Sequence, residues 1–350
     1  MRNYYTLNIQ KIIKETEDTF SFIFDTNDQN DFSFEPGQFL TLVFEKENNL
    51  ELRRSFSISS SPAELPMLRI TIKSVDSEFG SICKTLKIGD KVRTFPPVGN
   101  FVIGKNFNSE KLFVFIGAGS GITPLISKIN YLLRATQNKI FLLYGNRTEK
   151  DIIFNDELSI LQNEFGERFT IIHTLSQPSE NWEFAKGRIS PEVLKSYISP
   201  LIEQFKDIEY HICGPQLLMK NTISVLNDLG VKNESIKKED FICQITHDSD
   251  EYETVERQIT LFYKKQKFQL IIPANQSILE TALRNRINLP NSCNNGSCGT
   301  CRAILLSGKI FLKNQTCLSE ESTNNGFCLT CVGYPITDDV VIFYEDPFDF

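Results

Sequence analysis

The chain has 350 residues, of which 41% are hydrophobic and 23% are charged, and its formal net charge at pH 7 is −7. This length exceeds what one hydrophobic core usually holds, so we expect two or three domains. The acidic balance disfavours nucleic acid as a partner, and no uncharged apolar run approaches the ~20 residues that span a bilayer. The N-terminal stretch alternates polar and apolar residues instead of resembling a signal peptide, which predicts a cytoplasmic protein without a membrane span.

Residues 1–104 predict a small antiparallel β-barrel. Short strand-like segments follow one another between turns, and they read "TFSFIFDT", "GQFLTLVFE", "RRSFSISS", "LRITIKSV" and "KVRTFPPVGNF". Strands of this length and spacing are typical of barrels and sandwiches. The single helix start predicted in this region is "GSICKTL", residues 80–86.

Residues 105–244 predict an α/β domain with a parallel sheet. Apolar strands alternate with helical patterns, beginning with "KLFVFIGAG", "ITPLISKINYLLRATQ" and "KIFLLYGNR". This alternation places helices on both faces of the sheet. The acidic residues 245–257 predict a linker, and residues 258–350 predict a third, α+β domain with a hairpin, a short helix and a cysteine-rich loop. The predicted fold class is therefore multidomain.

Cysteines concentrate at the carboxyl end of the chain, where six of the nine fall in the last sixty residues. This distribution favours a metal-binding module on a reduced body over a secreted disulfide scaffold. Cys293, Cys298 and Cys301 are separated by four and two residues, and Cys331 follows further on. The spacing is that of the ligands of a plant-type two-iron cluster.

A zinc ribbon is the alternative, because Cys328 and Cys331 form a second C-x2-C pair. That hypothesis leaves Cys293 without a role. It also ignores two glycines between the three clustered cysteines, which permit positive φ in a loop wrapped around a cluster. These glycines are Gly296 and Gly299, and we expect Cys317 and Cys328 to be buried small residues.

Residues 258–350 resemble a plant-type [2Fe–2S] ferredoxin domain, which implies a β-grasp fold. The resemblance implies that four thiolates bind the cluster. They are Cys293, Cys298, Cys301 and Cys331.

The stretch "RRSFSISS", residues 53–60, combines a cation, an aromatic ring and hydroxyls at the end of a strand. Arg54 can pair with a phosphate, Phe56 can cover a flat ring, and Ser57 can hydrogen-bond a heteroatom of that ring. An ordinary strand with a surface arginine is the alternative from these residues alone.

The stretch resembles the R-x-[YF]-S motif of ferredoxin–NADP reductase-type barrels, and "GSICKTLKIGD" resembles their phosphate-binding helix start. The resemblance implies that Arg54 contacts a flavin pyrophosphate, Phe56 packs along the isoalloxazine and Ser57 lies near N5. It implies FAD, with FMN as the alternative because Cys83 stands where serine or threonine is usual. The implied flavin-binding residues are Arg54, Ser55, Phe56, Ser57, Gly80, Ser81 and Ile82.

The stretch "FIGAGSGITP", residues 115–124, ends a strand and opens a helix. Its glycines do not follow the G-x-G-x-x-G pattern of dinucleotide-binding dehydrogenases. Free N–H groups and the helix dipole still favour a phosphate there, although a plain tight turn is the alternative. The candidate residues are Gly117, Gly119, Gly121, Thr123 and Pro124.

The next strand ends in "YGNRTEK", where Arg147 and Lys150 predict a 2′-phosphate site and therefore NADPH. The neighbouring Glu149 and Asp151 keep NADH possible, and an ordinary exposed loop is the alternative interpretation.

The stretch "HICGP", residues 211–215, resembles the C-G-P motif of the same family. The resemblance implies that Cys213, followed by Gly214, lies beside the nicotinamide as a positioning group. Glu239 in "KKEDF" is expected near the flavin, so the catalytic candidates are Ser57, Cys213 and Glu239. The three histidines are scattered and are predicted to be structural; they are His173, His211 and His247.

The order of barrel, nucleotide sheet and ferredoxin resembles the reductase subunits of multicomponent oxygenases. "YGNRTEKDIIFNDEL" and "HICGP" resemble the phenylacetyl-CoA epoxygenase reductases. The resemblance implies electron transfer from NADPH through FAD and a [2Fe–2S] cluster to an oxygenase. Alternatives are a reductase of a Rieske-type dioxygenase or a desaturase, a flavin and iron–sulfur redox sensor, and a zinc-ribbon adaptor. The oligomeric state stays open.

Overall fold

The computed structural model describes residues 4–29, 32–45, 51–74, 78–104, 111–239, 255–296, 298–313, 315, 317–318 and 320–344. Most of the predicted linker, 245–257, lies outside these residues. The chain divides into two compact units, Met1–Phe241 and Ile242–Phe350, and each is described by itself. No described helix has the length and apolarity that a membrane crossing requires.

The amino-terminal part of the first unit is the predicted antiparallel barrel. Its elements are β1 (Tyr5–Thr16), β2 (Thr19–Asp25), β3 (Phe39–Glu45), β4 (Glu51–Ser57), β5 (Met67–Lys73), α1 (Glu78–Thr85) and β6 (Lys91–Thr94). The strands are ordered β4-β3-β6-β1-β2-β5. A bridge between Ile58 and Ile70 joins the two edge strands and closes the sheet around its apolar core.

Three elements of the barrel have boundaries that differ from the prediction. β4 spans Glu51–Ser57 instead of residues 53–60. β6 ends at Thr94, whereas the predicted strand ran to residue 101. Pro96 and Pro97 lack backbone N–H groups, so they cannot extend the strand's hydrogen-bond ladder. Helix α1 begins at Glu78 instead of Gly80.

The rest of the first unit is a six-stranded parallel sheet. Its elements are β7 (Leu112–Ala118), α2 (Ile122–Ala135), β8 (Lys139–Asn146), α3 (Asn155–Phe165), β9 (Phe169–Leu175), β10 (Ala185–Lys186), α4 (Pro191–Gln204), β11 (Ile208–Cys213), α5 (Gln216–Asp228) and β12 (Ile236–Glu239). The order is β10-β9-β8-β7-β11-β12. Successive residues of β7 enter two different apolar clusters, one on each face of the sheet. Helices α2 and α3 contribute to one cluster, and α4 and α5 to the other.

The strand order reverses between β7 and β11, because the chain builds outward from β7 first through β8 and β9 and afterwards through β11 and β12. In open α/β sheets, ligands bind at the carboxyl ends of the strands beside such a reversal. The ends of β7 and β11 are the stretches that carry "GAGSG" and "CGP".

The second unit has the β-grasp arrangement that the ferredoxin resemblance implies. Its elements are β13 (Arg257–Tyr263), β14 (Gln266–Ile272), α6 (Ile278–Arg284), β15 (Arg302–Ser307), β16 (Ile310–Leu312), α7 (Glu320–Asn324), β17 (Phe327–Leu329), β18 (Gly333–Pro335) and β19 (Val341–Phe343). The main sheet has the order β14-β13-β19-β15-β17. Ser277 caps α6 by accepting a hydrogen bond from Glu280 N at 3.1 Å. The buried face of α6 joins the core that also contains Cys301 and Cys331.

Candidate functional site

The three candidate catalytic residues lie together at the reversal of the sheet. Cys213 ends β11, and its Cα is paired with Gly117 of β7 on one side and with Glu239 of β12 on the other. Ser57, at the end of barrel strand β4, donates a hydrogen bond from Oγ to Glu239 Oε2 at 3.2 Å. Residues 57 and 239 are far apart in the sequence, so this contact depends on the packing of the barrel against the parallel sheet.

The glycine-rich turn and the C-G-P motif touch through their backbones. A Cβ atom at Gly121 would overlap the carbonyl oxygen of Cys213 and would lie 2.9 Å from Gly214 Cα. Gly119 has φ of +53° and open space around it. The glycines of the motif therefore have different roles, since Gly119 permits the turn and Gly121 permits the close approach of the two strand ends.

The first turn of α2 is closed by local hydrogen bonds. Thr123 is buried and donates from Oγ1 to Ser120 O at 3.0 Å. Pro124 lies in the same turn, where the missing N–H costs nothing. Tyr144 of β8 donates from its hydroxyl to Gly119 O at 3.0 Å, and burial raises the pKa of that hydroxyl. Tyr144 was not among the predicted site residues, and its signal in the sequence was a hydroxyl in an otherwise apolar strand.

The tip of β8 presents two cations whose acidic neighbours are engaged elsewhere. Glu149 Oε1 accepts hydrogen bonds from Ser179 N and Oγ, at 2.9 and 2.6 Å. Asp151 Oδ2 accepts from Thr148 Oγ1 at 2.7 Å. Arg147 and Lys150 are exposed, and neither forms an ion pair within the part of the chain that the structure describes.

The candidate flavin residues of the barrel occupy different environments. Arg54 is exposed, Phe56 is half-buried against the barrel core, and Ser57 is only 4% exposed. The Ser55 hydroxyl hydrogen-bonds Thr41 Oγ1 at 2.9 Å, so it is engaged within the barrel.

The candidate phosphate-binding residues Gly80, Ser81 and Ile82 lie inside α1, because the helix starts two residues earlier than predicted. Cys83 is buried in the barrel core, and burial raises the pKa of its thiol to about 12. Its side chain therefore offers nothing to a phosphate outside the barrel.

In the second unit, the four candidate cluster ligands are linked by contacts between pairs of them. Cys301 Sγ and Cys331 Sγ are 3.1 Å apart. The neighbouring Cys293 thiol raises the pKa of the thiols of both Cys298 and Cys331. Four thiols held this close are the donor set that a [2Fe–2S] cluster takes from a protein.

The loop backbone also has the form that a cluster site needs. Gly296 and Gly299 have φ of +75° and +74°, in the region that favours glycine. A Cβ atom at Gly299 would lie 3.0 Å from Cys317 Sγ. Both Cys317 and Cys328 were expected to be buried. Cys317 is only half-buried, whereas Cys328 is 3% exposed, as expected.

No three Cys, His, Asp or Glu side chains among the described residues are grouped as ligands of one metal ion. In a two-iron cluster the four cysteines are shared between two irons. Cys328 is buried in the core, on strand β17 opposite Ala303, and burial raises its thiol pKa to about 12. The contacting set is therefore the one with Cys293, as the ferredoxin spacing predicts, and not the two C-x2-C pairs of a ribbon.

Lys128 was also not among the predicted residues; it is fully buried in α2 and contacts His211 of β11. Its signal was a single lysine within an apolar helical face, "ITPLISKINYLL". His211 was predicted to be structural, and it is fully buried.

Comparison with known proteins agrees with this architecture. Residues 115–223 match the oxidoreductase NAD-binding domain family, and residues 262–335 match the 2Fe-2S iron-sulfur cluster binding domain family. The ferredoxin reductase component of 3-ketosteroid-9-alpha-monooxygenase from Rhodococcus rhodochrous is 30% identical over 349 residues, which cover 96% of this chain and 95% of that protein. A component protein of the 1,2-phenylacetyl-CoA epoxidase from Escherichia coli K12 is 29% identical over 355 residues, with 99% of each chain covered.

Two solved structures share the fold. Phthalate dioxygenase reductase superposes with a TM-score of 0.63 at 24% identity, and 98% of both chains is covered. An intact type IV self-sufficient cytochrome P450 monooxygenase gives a TM-score of 0.70 at 18% identity, covering 97% of this chain and 41% of that one.

The chain belongs to the family of ferredoxin–NADP reductase-type oxygenase reductases with a carboxyl-terminal [2Fe–2S] ferredoxin domain. It is an oxidoreductase with an NAD-binding domain and an iron–sulfur domain, and its relatives serve oxygenases as electron-transfer components. The expected family and fold class are confirmed.

Proposed function

We propose that the chain takes a hydride from NADPH onto bound FAD and passes the electrons, one at a time, through a [2Fe–2S] cluster to an oxygenase. The observation that carries this proposal is the meeting of Ser57, Cys213 and Glu239 where the barrel joins the parallel sheet. The flavin supplies the exchange between two-electron and one-electron chemistry. The covalent joining of the ferredoxin domain raises its effective concentration at the flavin.

The proposed flavin site lies on the barrel, where the cationic, aromatic and hydroxyl side chains of β4 are joined by backbone groups of α1. Its residues are Arg54, Ser55, Phe56, Ser57, Gly80, Ser81 and Ile82. The proposed nucleotide site lies at the ends of β7, β8 and β11. Its residues are Gly117, Gly119, Gly121, Thr123, Pro124, Arg147, Lys150, Cys213 and Gly214.

Hydride transfer needs geometry more than acid–base catalysis. Cys213 is fully buried within an apolar cluster, so it suits a packing and positioning role and not that of a thiolate. Glu239 accepts a hydrogen bond from Ser57 and so holds the direction of that hydroxyl. In the second unit, Cys293, Cys298, Cys301 and Cys331 are the proposed cluster ligands.

An anaerobic titration of the purified holoprotein with NADPH tests the scheme, with visible absorbance as the readout. We expect NADPH to decrease the absorbance of both the flavin and the cluster. Chemical analysis of the same protein should find acid-labile sulfide and about two irons per chain. A protein without iron after reconstitution would contradict the cluster assignment. Slow reduction would favour a redox sensor.

NADPH is the proposed donor because two exposed cations, Arg147 and Lys150, follow the end of β8. Their acidic neighbours are engaged in local hydrogen bonds. The variant Arg147→Ala should raise the KM for NADPH about tenfold, because the loss of one charge-assisted hydrogen bond has about this effect on binding. The KM for NADH should stay nearly unchanged. Lys195→Ala is the matched control, since Lys195 is an exposed cation on α4. An equal loss with both nucleotides would contradict a 2′-phosphate site.

For the partner, we propose an oxygenase of the phenylacetyl-CoA epoxidase type, on the strength of the end-to-end match with the Escherichia coli epoxidase component and the motifs in residues 144–158 and 211–215. This assignment would place the chain in phenylacetate catabolism. The 3-ketosteroid-9-alpha-monooxygenase system is the second candidate, because its reductase component is similar at 30% identity. Supplying each oxygenase with this reductase and NADPH, and measuring product per NADPH consumed, decides between them.

A further inference from the structure

The segment that follows β4 is bound by helix α2 of the parallel sheet. Residues 57–60 begin with Ser57, the proposed flavin contact. Ser127 of α2 is fully buried and donates a hydrogen bond from Oγ to Ser60 O at 2.6 Å. Helix α2 begins at Ile122, directly after the glycine turn of the proposed nucleotide site. One helix therefore reaches from the proposed nucleotide site to the barrel segment of the proposed flavin site.

A second connection to this segment runs through Arg69 of barrel strand β5. Arg69 Nη2 donates to Ser59 O at 2.8 Å, and Ser59 N donates to Arg69 O at 2.8 Å. The guanidinium also forms two hydrogen bonds with Glu157 of α3, from Nη1 to Oε2 at 2.6 Å and from Nη2 to Oε1 at 3.1 Å. A bidentate pair of this kind fixes the orientation of both side chains.

Asn130 links the same carboxylate to α2. Its Nδ2 donates to Glu157 Oε1 at 2.7 Å, and the residue is only 5% exposed. Asn130 follows Ser127 by three residues, so the two side chains are neighbours on one face of the helix. Glu157 therefore accepts hydrogen bonds from the barrel and from α2 at once.

The backbone before α3 is unusual at this place. Phe154 has φ of +62°, in the left-handed region that bulky residues rarely adopt. Its ring is buried, and Arg69 Cζ lies 4.6 Å from the centroid of that ring. A strained backbone persists only where surrounding contacts hold it. The contacts around Arg69 and Phe154 therefore outweigh the cost of this conformation.

Stability alone does not explain why a charged pair occupies this position. The side chains of Arg69 and Glu157 are 11% and 27% exposed. Pairs that are largely removed from water add little net stability compared with apolar residues of similar size. Unlike apolar residues, however, the pair fixes the direction and distance of its partners through several hydrogen bonds.

We propose that Glu157 is a positioning residue for hydride transfer. By holding Arg69, its carboxylate keeps residues 57–60 at a fixed place relative to α2, and so relative to the glycine turn at the start of that helix. Transfer between two bound groups depends steeply on their relative position. A small displacement of the segment should therefore slow hydride transfer while each cofactor stays bound. The proposal rests on the proposed flavin and nucleotide sites.

The test compares Glu157→Gln with wild type in the full-length holoprotein. Glutamine keeps the shape of the side chain and removes its charge. Anaerobic stopped flow gives the limiting rate of flavin reduction and, separately, the dissociation constant of NADPH. We expect the limiting rate to fall about ten- to hundredfold, the cost of a small misplacement of reacting groups. The dissociation constant should stay nearly unchanged, and a wild-type limiting rate would overturn the proposal.

Glu164→Gln is the matched control. Glu164 of α3 also binds an arginine through two hydrogen bonds, in this case Arg134 of α2 at 3.0 and 3.1 Å. This pair is exposed and joins the same two helices without Arg69 of the barrel. The control should keep the wild-type rate. Equal slowing in both variants would overturn the proposal, because the effect would then follow the contact between the helices.

A double variant separates positioning from stability. Arg69→Met/Glu157→Leu replaces both partners by apolar residues, a change that is often neutral or stabilising for a buried pair. Its urea unfolding should resemble that of wild type, while its limiting rate of flavin reduction should stay low. This variant carries the test if Glu157→Gln does not fold. A rate equal to that of wild type would show that the hydrogen bonds are not needed for positioning.

Amide hydrogen exchange of the holoprotein provides a readout that does not depend on turnover. In Glu157→Gln, the peptide that contains residues 57–60 should exchange faster than in wild type, because Arg69 no longer holds Ser59 in place. The peptide that contains β7 should exchange as before. Unchanged exchange of residues 57–60 would show that the carboxylate does not hold this segment.

The outcomes separate the two proposals. A wild-type flavin that NADPH does not reduce contradicts the proposed function, and the role of Glu157 in hydride transfer with it. Rapid reduction in wild type together with an unchanged limiting rate in Glu157→Gln overturns the inference alone.

Discussion

The cysteine loop of the second unit and the junction of barrel and sheet in the first unit differ in how their residues are spaced along the chain. Three of the four candidate ligands in the loop fall within nine residues, 293–301, and the loop carries its own glycines. The junction instead joins Ser57, Lys128, Cys213 and Glu239, which come from four separate elements. A site with local spacing can be recognised in the sequence, whereas a site assembled by packing becomes visible only in three dimensions.

The two sites also satisfy their polar groups differently. In the loop, the thiols contact one another and the surrounding backbone, with Asn295 N donating to Cys293 Sγ at 3.4 Å. At the junction, charged side chains are removed from water and satisfied by a few specific partners. We therefore expect loss of one partner at the junction to affect folding and the proposed chemistry together, and loss of one thiol to affect mainly the proposed cluster.

The largest expected effect distinguishes Cys331 from Cys328. Cys331→Ala should abolish iron binding and reduce cytochrome c reduction to background, while flavin reduction by NADPH persists. Cys328→Ala is the matched control, because Cys328 lies three residues away in the same buried core and has no proposed ligand role. Iron analysis, visible absorbance and the two activities measure the difference.

Retention of two irons per chain in Cys331→Ala would show that Cys331 is not a cluster ligand and packs in the core as Cys328 does. Iron loss in Cys328→Ala would instead support a zinc-ribbon type of ligand set.

The next effect concerns Gly121. A methyl group there meets the Cys213 backbone, so Gly121→Ala should destabilise the first unit by about 1–3 kcal/mol, as overpacking does, and should weaken NADPH binding. Gly104→Ala is the control, since a Cβ atom at Gly104 meets nothing within 4 Å. Urea unfolding followed by the fluorescence of Trp182, the single tryptophan, reports the first unit. Equal stability of the two variants would show that the strand ends can separate without cost.

The smallest effect is the acid sensitivity of the junction. Burial, followed by the charge of Lys128, lowers the pKa of His211 from 6.5 to about 3. The unfolded chain then binds more protons than the native protein between these values, so stability falls as pH falls through this window. Between pH 6.5 and pH 5, His211 should lower the free energy of unfolding by about 2 kcal/mol.

Urea unfolding at the two pH values, with Trp182 fluorescence, measures this loss. In Lys128→Met/His211→Phe the part due to His211 should vanish, while the contribution of His173, whose pKa burial also lowers, stays. An unchanged pH dependence in the double variant would contradict a neutral, buried His211.

Most of the fold could be predicted from periodicity, because alternating and helical patterns report which face of an element is buried. The predicted strands and helices of the barrel and the sheet are confirmed as elements, while several of their ends differ, namely those of β4, the end of β6 and the start of α1. The end of β6 depends on proline chemistry, which a hydrophobic pattern does not report. The domain boundaries and the site residues stay predictions.

The sequence by itself determined the cysteine spacing, the glycines of the loop, the alternation of strands and helices, and the family. These features are local, since each depends on a few neighbouring residues and their backbone preferences. Only the tertiary structure decided that Gly121 meets the Cys213 backbone, that Ser57 reaches Glu239, and that Lys128 is buried beside His211. Such contacts join distant segments, and their existence depends on how the barrel and the sheet pack, which no short stretch of sequence encodes.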